Sequence, residues 1–278
     1  MTGLHVSVLG IGLLGPGLPS WAAAQAVLHG SEAHVATPAV LAPPPRLPPA
    51  ERRRAGPSIR LAMAVADEAV AQSGLDPQQL ATVFAASGGE GQNCDVLCTT
   101  LASADRHLSP TRFTNSVHNA AAGYWHIAVA SRAASTSLSA YDGSFGAGLI
   151  EAATQVRASG APVLLVASDV PYPQPLHRLR TLPHHAGVAL LLAPPGAAGA
   201  LVRLGVEFLA GSASAADRCA DASLEALRRG VPAAAALPLL EALARDARPA
   251  TVVLDYLPAL QLRLTLAAAE AEAEAEAP

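Results

Sequence analysis

The most informative stretch of this 278-residue chain is Asp142-Gly143-Ser144-Phe145-Gly146-Ala147-Gly148-Leu149. They follow an alternating stretch, 136–141, that predicts a β-strand, and they lead into a segment, 148–159, that predicts a helix. A strand that runs through small residues directly into a helix forms a sharp elbow, which exposes a side chain beside the helix N-terminus. Several enzyme classes hold a nucleophile at such an elbow, although the three glycines are also compatible with simple close packing of strand and helix.

Outward from the elbow, strand and helix patterns alternate through the chain, which predicts a layered α/β fold. Strands are predicted at 5–14, 82–86, 136–141, 163–167, 188–192, 201–208, 251–256 and 261–266. Helices are predicted at 20–28, 58–73, 92–102, 120–130, 148–159, 220–229 and 238–245. We interpret 188–192 and 201–208 as a hairpin, 38–57 and 112–119 as loops, and 267–278 as a frayed, acidic low-complexity tail.

Composition excludes several classes of function. The net charge of −4, with no basic stripe, excludes a nucleic-acid partner. All 18 basic residues are arginine, so the chain cannot supply a Schiff-base lysine or a phosphate-loop lysine. Three cysteines are too few for a disulfide framework and indicate a reducing compartment. With no recognisable signal peptide and no unbroken apolar span, we expect a cytoplasmic protein without a membrane span.

The first strand ends in Gly10-Ile11-Gly12-Leu13-Leu14-Gly15, which has the GxGxxG spacing of a dinucleotide-binding loop. Pro16 and Pro19 stand where the following helix should begin and continue, and 35–47 has no acidic residue for a ribose. A nucleotide-dependent reductase is therefore a minor alternative, and we expect no cofactor.

Cys94 and Cys98 are four residues apart and would share one face of a helix, where they could co-ligate a metal ion. No second pair of ligands with suitable spacing is nearby, so we expect no metal site and interpret them as two buried helical thiols. His184-His185 could supply a base, but no nucleophile stands in a motif with them, so we expect surface-turn histidines.

The elbow resembles that of the β-ketoacyl synthases, whose elbow reads roughly Asp-Thr-Ala-Cys-Ser-Ser-Gly-Leu. Without a gap, Phe145 falls on the position of the cysteine that accepts the acyl group in that family. A phenyl ring cannot form a thioester. Ser144 is the remaining candidate nucleophile of the elbow, and an acyltransferase that uses it is an alternative function.

The resemblance extends over about residues 4–195 and is carried mainly by the shared order and spacing of its motifs. These are Val8-Leu9-Gly10-Ile11-Gly12 with Trp21 and Gly30, the helix 58–75, Ser87-Gly88-Gly89, the loop and helix start 113–123, and 158–168. It implies the thiolase-like layered αβαβα fold with a truncated C-terminal half. The implied organisation is a ketoacyl-synthase-like N-terminal half at 1–195, a shortened C-terminal half at 196–266 and the acidic tail at 267–278.

Active members of the family carry two histidines and a lysine in the C-terminal half. This sequence has no histidine after His185 and no lysine, so the resemblance implies a subunit without catalytic residues and with a degenerate elbow at 142–146. It looks like a chain-length factor, the inactive partner of an active ketoacyl synthase in type II polyketide or aryl polyene systems. An acyl carrier protein is a further possible partner. A scaffold or carrier-protein-binding subunit without a tunnel is the alternative.

In such a heterodimer the strand 136–141 would pair across the interface, and the growing acyl chain of the partner would enter a tunnel there. The residues that the resemblance assigns to this tunnel and interface are Phe113, Thr114, Asn115, His118, Asn119 and Tyr141. Bulky side chains at these positions would limit chain length, because a longer chain would have to displace well-packed atoms.

Overall fold

The computed structural model describes residues 3–210 and 215–269. Its centre is a mixed eight-stranded sheet with the strand order β3-β2-β4-β5-β1-β6-β8-β7, which confirms the predicted α/β class. The strands are β1 (Leu4–Leu14), β2 (Ala81–Ala85), β3 (Ser135–Leu138), β4 (Val163–Asp169), β5 (Ala186–Ala193), β6 (Val202–Ala210), β7 (Ala250–Leu257) and β8 (Leu260–Ala267). The helices are α1 (Gln25–His29), α2 (Pro49–Arg54), α3 (Pro57–Ser73), α4 (Gly91–Ala102), α5 (Pro110–Asn115), α6 (Ala120–Val129), α7 (Ser144–Ser159), α8 (Leu176–Leu179), α9 (Ala222–Gly230) and α10 (Leu237–Ala244).

The parallel part of the sheet, β3-β2-β4, is covered by helices on both faces. Leu164 and Val166 of β4 pack with α3 and α6 in one apolar cluster. Val163 and Leu165, which alternate with them, pack with α7 in the other cluster. Burial on both faces explains why β4 is a continuous apolar run rather than an alternating one.

Strand β1 occupies the middle of the sheet and pairs antiparallel with both β5 and β6. The predicted hairpin of 188–192 and 201–208 is therefore wrong, since β1 lies between these two strands. Two apolar runs separated by a proline-glycine turn indicate a hairpin locally. The pairing of each run with a strand at the far N-terminal end of the chain is a long-range choice that local sequence does not encode.

Helix α7 is packed between two parts of the sheet. A Cβ atom on Gly148 would lie 2.8 Å from both Ala85 of β2 and Leu165 of β4. A Cβ atom on Gly146, on the opposite face of the helix, would lie 2.8 Å from Tyr256 of β7 and 3.1 Å from Leu262 of β8. The sheet therefore curls around α7, and the glycines of the elbow allow this close approach on both sides.

The far face of β6-β8-β7 carries polar side chains. Inward-facing Leu204, Leu264 and Leu254 are buried in the core that contains α7. The alternate positions, which face away, are polar or half-buried and include Arg203, Glu207, Thr251, Asp255 and Arg263. Such alternation is typical of an antiparallel sheet with one solvated face.

Several boundaries differ from the predicted ones. The loops 38–57 and 112–119 contain the short helices α2 and α5, and β3 ends at Leu138, three residues earlier than predicted. Helix α7 begins at Ser144 rather than at Gly148, so the whole elbow after Gly143 is helical. The predicted frayed tail lies outside the described residues from 270 onward. No helix in the described ranges combines the length and apolar character needed to cross a bilayer.

Candidate functional site

The elbow lies at the carboxyl end of β3, beside the loops that follow β2 and β4. A single 3-10 turn, Tyr141–Gly143, joins the strand to α7. Tyr141 adopts a left-handed conformation with φ of +54°, which is uncommon for a residue with a bulky side chain. The turn therefore passes through a left-handed residue at Tyr141, four residues before Phe145.

The hydroxyl of Ser144 makes its hydrogen bonds to the backbone of this turn. It donates to the carbonyl of Tyr141 (2.7 Å) and accepts from the N–H of Ala140 (3.0 Å), and Ser144 is 1% exposed. A serine nucleophile needs a base within hydrogen-bonding reach and an open face for substrate. Within the described residues no titratable side chain makes a hydrogen bond to Ser144, so its hydroxyl stabilises the turn and has no base to activate it.

Phe145 fills the position at which the resemblance places the acyl-accepting cysteine. The residue is 1% exposed and belongs to the apolar cluster that includes Val252, Leu254 and Leu262 of the C-terminal half. Its ring therefore stabilises the contact between α7 and β7-β8. The elbow presents no sulfur or oxygen nucleophile at this point.

Asp142 points outward and pairs with Arg180, which lies just after α8. The Arg180 guanidinium donates to the Asp142 carboxylate at 2.6 Å and lies over the ring of Tyr141, 3.4 Å from the centroid. A guanidinium that stacks on an aromatic face and pairs with a carboxylate is held in one orientation. The elbow and the segment after β4 are thus joined at the protein surface.

A buried carboxylate supports the elbow from the neighbouring strand ends. Asp169, at the end of β4, accepts hydrogen bonds from the N–H (2.7 Å) and the hydroxyl (2.6 Å) of Ser87 and from the N–H of Ala233 (2.8 Å). Burial raises the pKa of Asp169, and the hydrogen bonds from Ser87 and Ala233 oppose that shift. Sequence reasoning missed this residue, although an aspartate that ends an otherwise apolar strand is a usable signal.

The residues assigned to the tunnel and interface occupy different environments. Phe113 is 63% exposed on α5, and the hydroxyl of Thr114 donates to the carbonyl of Pro110 (3.0 Å). Asn115 is buried, where its amide donates to the Arg54 carbonyl (3.3 Å) and accepts from the Tyr124 hydroxyl (3.2 Å). The structure gives Asn115 a role in holding α2, α5 and α6 together.

The remaining members of this set lie in two surface depressions. His118 is exposed and lines a small pocket with Gly89 and Glu90. Asn119, at the start of α6, lines an open groove along β3 with Ser137. Tyr141 and Asp142 line a third cavity, beside the elbow, and Phe113 is not among the residues of any of these three.

The other sequence motifs serve packing. A Cβ atom on Gly10 or on Gly12 would overlap the carbonyl oxygen of Ala69 or of Val65 in α3, so these glycines allow β1 and α3 to touch. Strand β1 runs through the motif to Leu14 and no helix begins there, in contrast to a dinucleotide-binding loop.

The two helical cysteines are exposed, which corrects the prediction that they are buried. They lie on the solvent face of α4, whose inward face is formed by Leu97. Partial desolvation at the helix surface raises the pKa of the Cys94 thiol, and the nearby Cys98 and Glu90 add to the shift. Among the described residues no group of three or more histidine, cysteine, aspartate or glutamate side chains could hold a metal ion.

Comparison with known proteins relates this geometry to one family. The family model described as beta-ketoacyl synthase, N-terminal domain, matches residues 20–253. A search of curated proteins finds no match to the chain.

Solved structures of the same fold include ketosynthase complexes. One is a ketosynthase (ApeO) with its chain length factor (ApeC) from Xenorhabdus doucetiae, with a TM-score of 0.71 and 23% identity over 94% of this chain and 99% of that chain. Another is the ishigamide ketosynthase/chain length factor, with a TM-score of 0.71 and 14% identity over 95% of this chain and 100% of that chain. A third is AntDE:AntF, a type II PKS acyl-carrier protein in complex with its ketosynthase. Its TM-score is 0.74 and its sequence identity is 13%, over 96% of this chain and 100% of that chain. At these identities the likeness shows the fold, and it confirms the predicted thiolase-like ketosynthase fold.

Proposed function

Because this chain belongs to the β-ketoacyl synthase family, whose N-terminal-domain model matches residues 20–253, we propose that it is a non-catalytic subunit of a condensing complex. In this proposal it acts as a chain-length factor. It pairs with an active ketoacyl synthase and shapes the tunnel that receives the growing polyketide or aryl polyene chain.

The observation that carries the proposal is the chemistry of the elbow. A decarboxylative condensation needs a thioester carrier and donors that stabilise the developing enolate. Phe145 is buried at the carrier position, and the hydroxyl of Ser144 is occupied by backbone atoms. No lysine exists in the sequence and no histidine follows His185. The elbow keeps the shape of a nucleophile site and lacks its reactive groups.

The edge of the sheet supports a protein partner. Strand β3 is an end strand whose strand partner among the described residues is β2. Residues 135 and 137 of β3 present their backbone groups to the open side, because the carbonyls of Ala134 and Leu138 bond to β2. An unpaired edge of this kind can add a strand from another chain. Beside it, α6 exposes Ile127 to solvent.

The tunnel role is proposed for side chains that can reach across such an interface. The large exposed side chains of the assigned set are Phe113 and Tyr141, and the exposed His118 and Asn119 lie between them in the chain. Phe145, which is enclosed by its own subunit, would act from inside by keeping the elbow closed. Product length would then decrease as the volume of the side chain at position 113 increases.

One of the similar solved structures extends the proposal to a further partner. One solved complex contains an acyl-carrier protein with its ketosynthase, so we infer that a carrier protein delivers substrate to the partner synthase here as well. All three cysteines are free thiols, which fits a reducing compartment, and we propose a cytoplasmic complex.

Co-expression of the tagged chain with an active ketoacyl synthase from the same genome tests the proposal. We expect a one-to-one complex by mass measurement, longer products with Phe113→Ala and shorter products with Phe113→Trp. Phe208→Ala is the matched control, because Phe208 is a partly exposed phenylalanine on β6, away from the proposed interface.

A complex whose product length ignores both Phe113 variants would replace the tunnel role with that of a scaffold. The absence of a complex with any ketoacyl synthase would overturn the proposal altogether.

A further inference from the structure

The cavity beside the elbow has the size and the charged lining of a ligand site. Of its lining residues, the proposed tunnel and interface include only Tyr141. The cavity has a volume of about 440 Å³ and lies between the elbow, the segment after α8, the end of α9 and β7. Pockets for small molecules are typically about 300–1,000 Å³ in volume. Three arginines, Arg180, Arg228 and Arg229, line it together with two aspartates, Asp142 and Asp255.

The guanidinium of Arg180 is held in one orientation, and only one of its nitrogen atoms donates a hydrogen bond within the described residues. Its side chain is 14% exposed, is stacked on Tyr141 and donates one N–H to Asp142. Within the described ranges its other N–H groups have no hydrogen-bond acceptor. The carboxylate of Asp142 is 72% exposed, so an incoming anion can share or take over the guanidinium.

Arg228 and Arg229 differ in their pairing. Arg228 makes a two-point contact with Glu225, at 2.7 and 2.8 Å, and this contact lowers the pKa of Glu225. Arg229 is exposed at the rim of the cavity, and no carboxylate in the described part of the chain pairs with it. Asp255 is exposed and accepts a hydrogen bond from Gln261 (3.4 Å). The carboxylates Asp142, Glu225 and Asp255 match the three arginines in number. Within the described residues, however, Arg229 and Asp255 make no ion pair with each other, so Arg229 is open to an added anion.

The remaining walls favour an apolar body on that anion. The rings of Tyr141 and Tyr256 line the cavity, with Leu182, Pro232 and Ala235 beside them. A guanidinium presents parallel N–H groups whose spacing matches the two oxygens of a carboxylate. We propose that this cavity binds a small organic monocarboxylate with a planar apolar body, held by Arg180 and Arg229 and flanked by the two tyrosine rings.

Calorimetric titration with benzoate tests the proposal directly, with benzamide as its uncharged analogue of the same shape. The chain is used as it purifies, alone or with a synthase, since the inference does not depend on the proposed function. We expect saturable binding of benzoate and at least tenfold weaker binding of benzamide. Arg180→Gln and Arg229→Gln should each weaken benzoate at least tenfold, whereas Arg53→Gln, an exposed arginine on α2, should leave it unchanged.

Asp142→Asn separates an anion site from any other kind of site. Removal of the competing carboxylate of Asp142 should tighten benzoate binding severalfold. A site that binds cations would instead lose affinity for its cation when this carboxylate is removed. The proposal is overturned by equal binding of benzoate and benzamide, by absent binding in the unmutated chain, or by unchanged affinity in both arginine variants. A thermal unfolding curve that matches the unmutated chain shows that each variant is folded.

Discussion

Asp169 accepts two hydrogen bonds from Ser87, one from its N–H at 2.7 Å and one from its hydroxyl at 2.6 Å. Its second carboxylate oxygen accepts from the N–H of Ala233 in the C-terminal half. Ser87 in turn accepts at its carbonyl from the hydroxyl of Ser139, just before the elbow (3.2 Å). One buried carboxylate thus connects the ends of β2 and β4, through Ser87, to the segment that leads into the elbow.

We expect Asp169→Ala to lower the free energy of unfolding by about 3 kcal/mol, because it leaves three buried donors without an acceptor. Ser87→Ala should lower it by about 1 kcal/mol, because only the hydroxyl donor is lost. Urea unfolding measures both values, and Asp105→Ala, at a fully exposed site, should leave the unfolding midpoint nearly unchanged. Equal effects of Asp169→Ala and Asp105→Ala would contradict this role.

Gly148→Ala should destabilise the chain by about 1–3 kcal/mol, because the new methyl group would be 2.8 Å from Ala85 and Leu165. Gly123→Ala is the matched control, since Gly123 lies within α6 and a methyl group added there would meet no atom within 4 Å. There the substitution should stabilise by about 0.5–1 kcal/mol through helix propensity. Thermal unfolding of the two variants should therefore shift in opposite directions.

Burial raises the pKa of the Cys219 thiol from 9.0 to about 12, and Glu241 and Glu225 add to the shift. The folded chain keeps this proton after the unfolded chain has lost it, so stability should fall as the pH rises from 9.0 toward 12. By pH ~10 the loss from this thiol should be about 1 kcal/mol.

Urea unfolding at neutral and alkaline pH measures this loss. Cys219→Ala should remove that component of the pH dependence, and Cys98→Ala, at an exposed thiol, should retain it. The interpretation fails if the two variants show the same alkaline slope.

Ser137→Pro should weaken the complex with a partner synthase at least tenfold. The N–H of Ser137 faces the open side of β3, so proline removes an edge donor without removing a bond to β2. Ser137→Ala keeps the N–H and should bind normally in a pull-down or by light scattering.

We also expect the isolated chain to self-associate through this face, and a stable monomer would count against that expectation.

Phe145→Cys should restore no condensing activity. The thiol alone would lack the histidines and the lysine that active family members use, and position 145 is enclosed by the core. Consumption of a malonyl thioester by the purified variant, with Phe145→Ala as its control, measures this. Turnover above that control would disprove the proposed loss of catalytic function.

Local sequence determined the elements whose signals are local. Helix α3 was predicted to within one residue, because its apolar stripe is continuous and Gly74 ends it with a φ of +69°. The strand order was not predictable in the same way. Strand β1 separates β5 from β6, and such pairings depend on contacts between distant residues rather than on a pattern within either strand.

Residue types alone establish what chemistry is absent, because covalent reactivity belongs to the side chain: Phe145 cannot carry a thioester, and a chain without lysine cannot use one. Which side chains are accessible depends on contacts between distant parts of the chain. The tertiary structure encloses Phe145 while Phe113 remains exposed, and it places Arg180 over the ring of Tyr141, far earlier in the chain. Burial and pairing depend on how α7 packs between the two parts of the sheet, and that packing is a property of the whole fold.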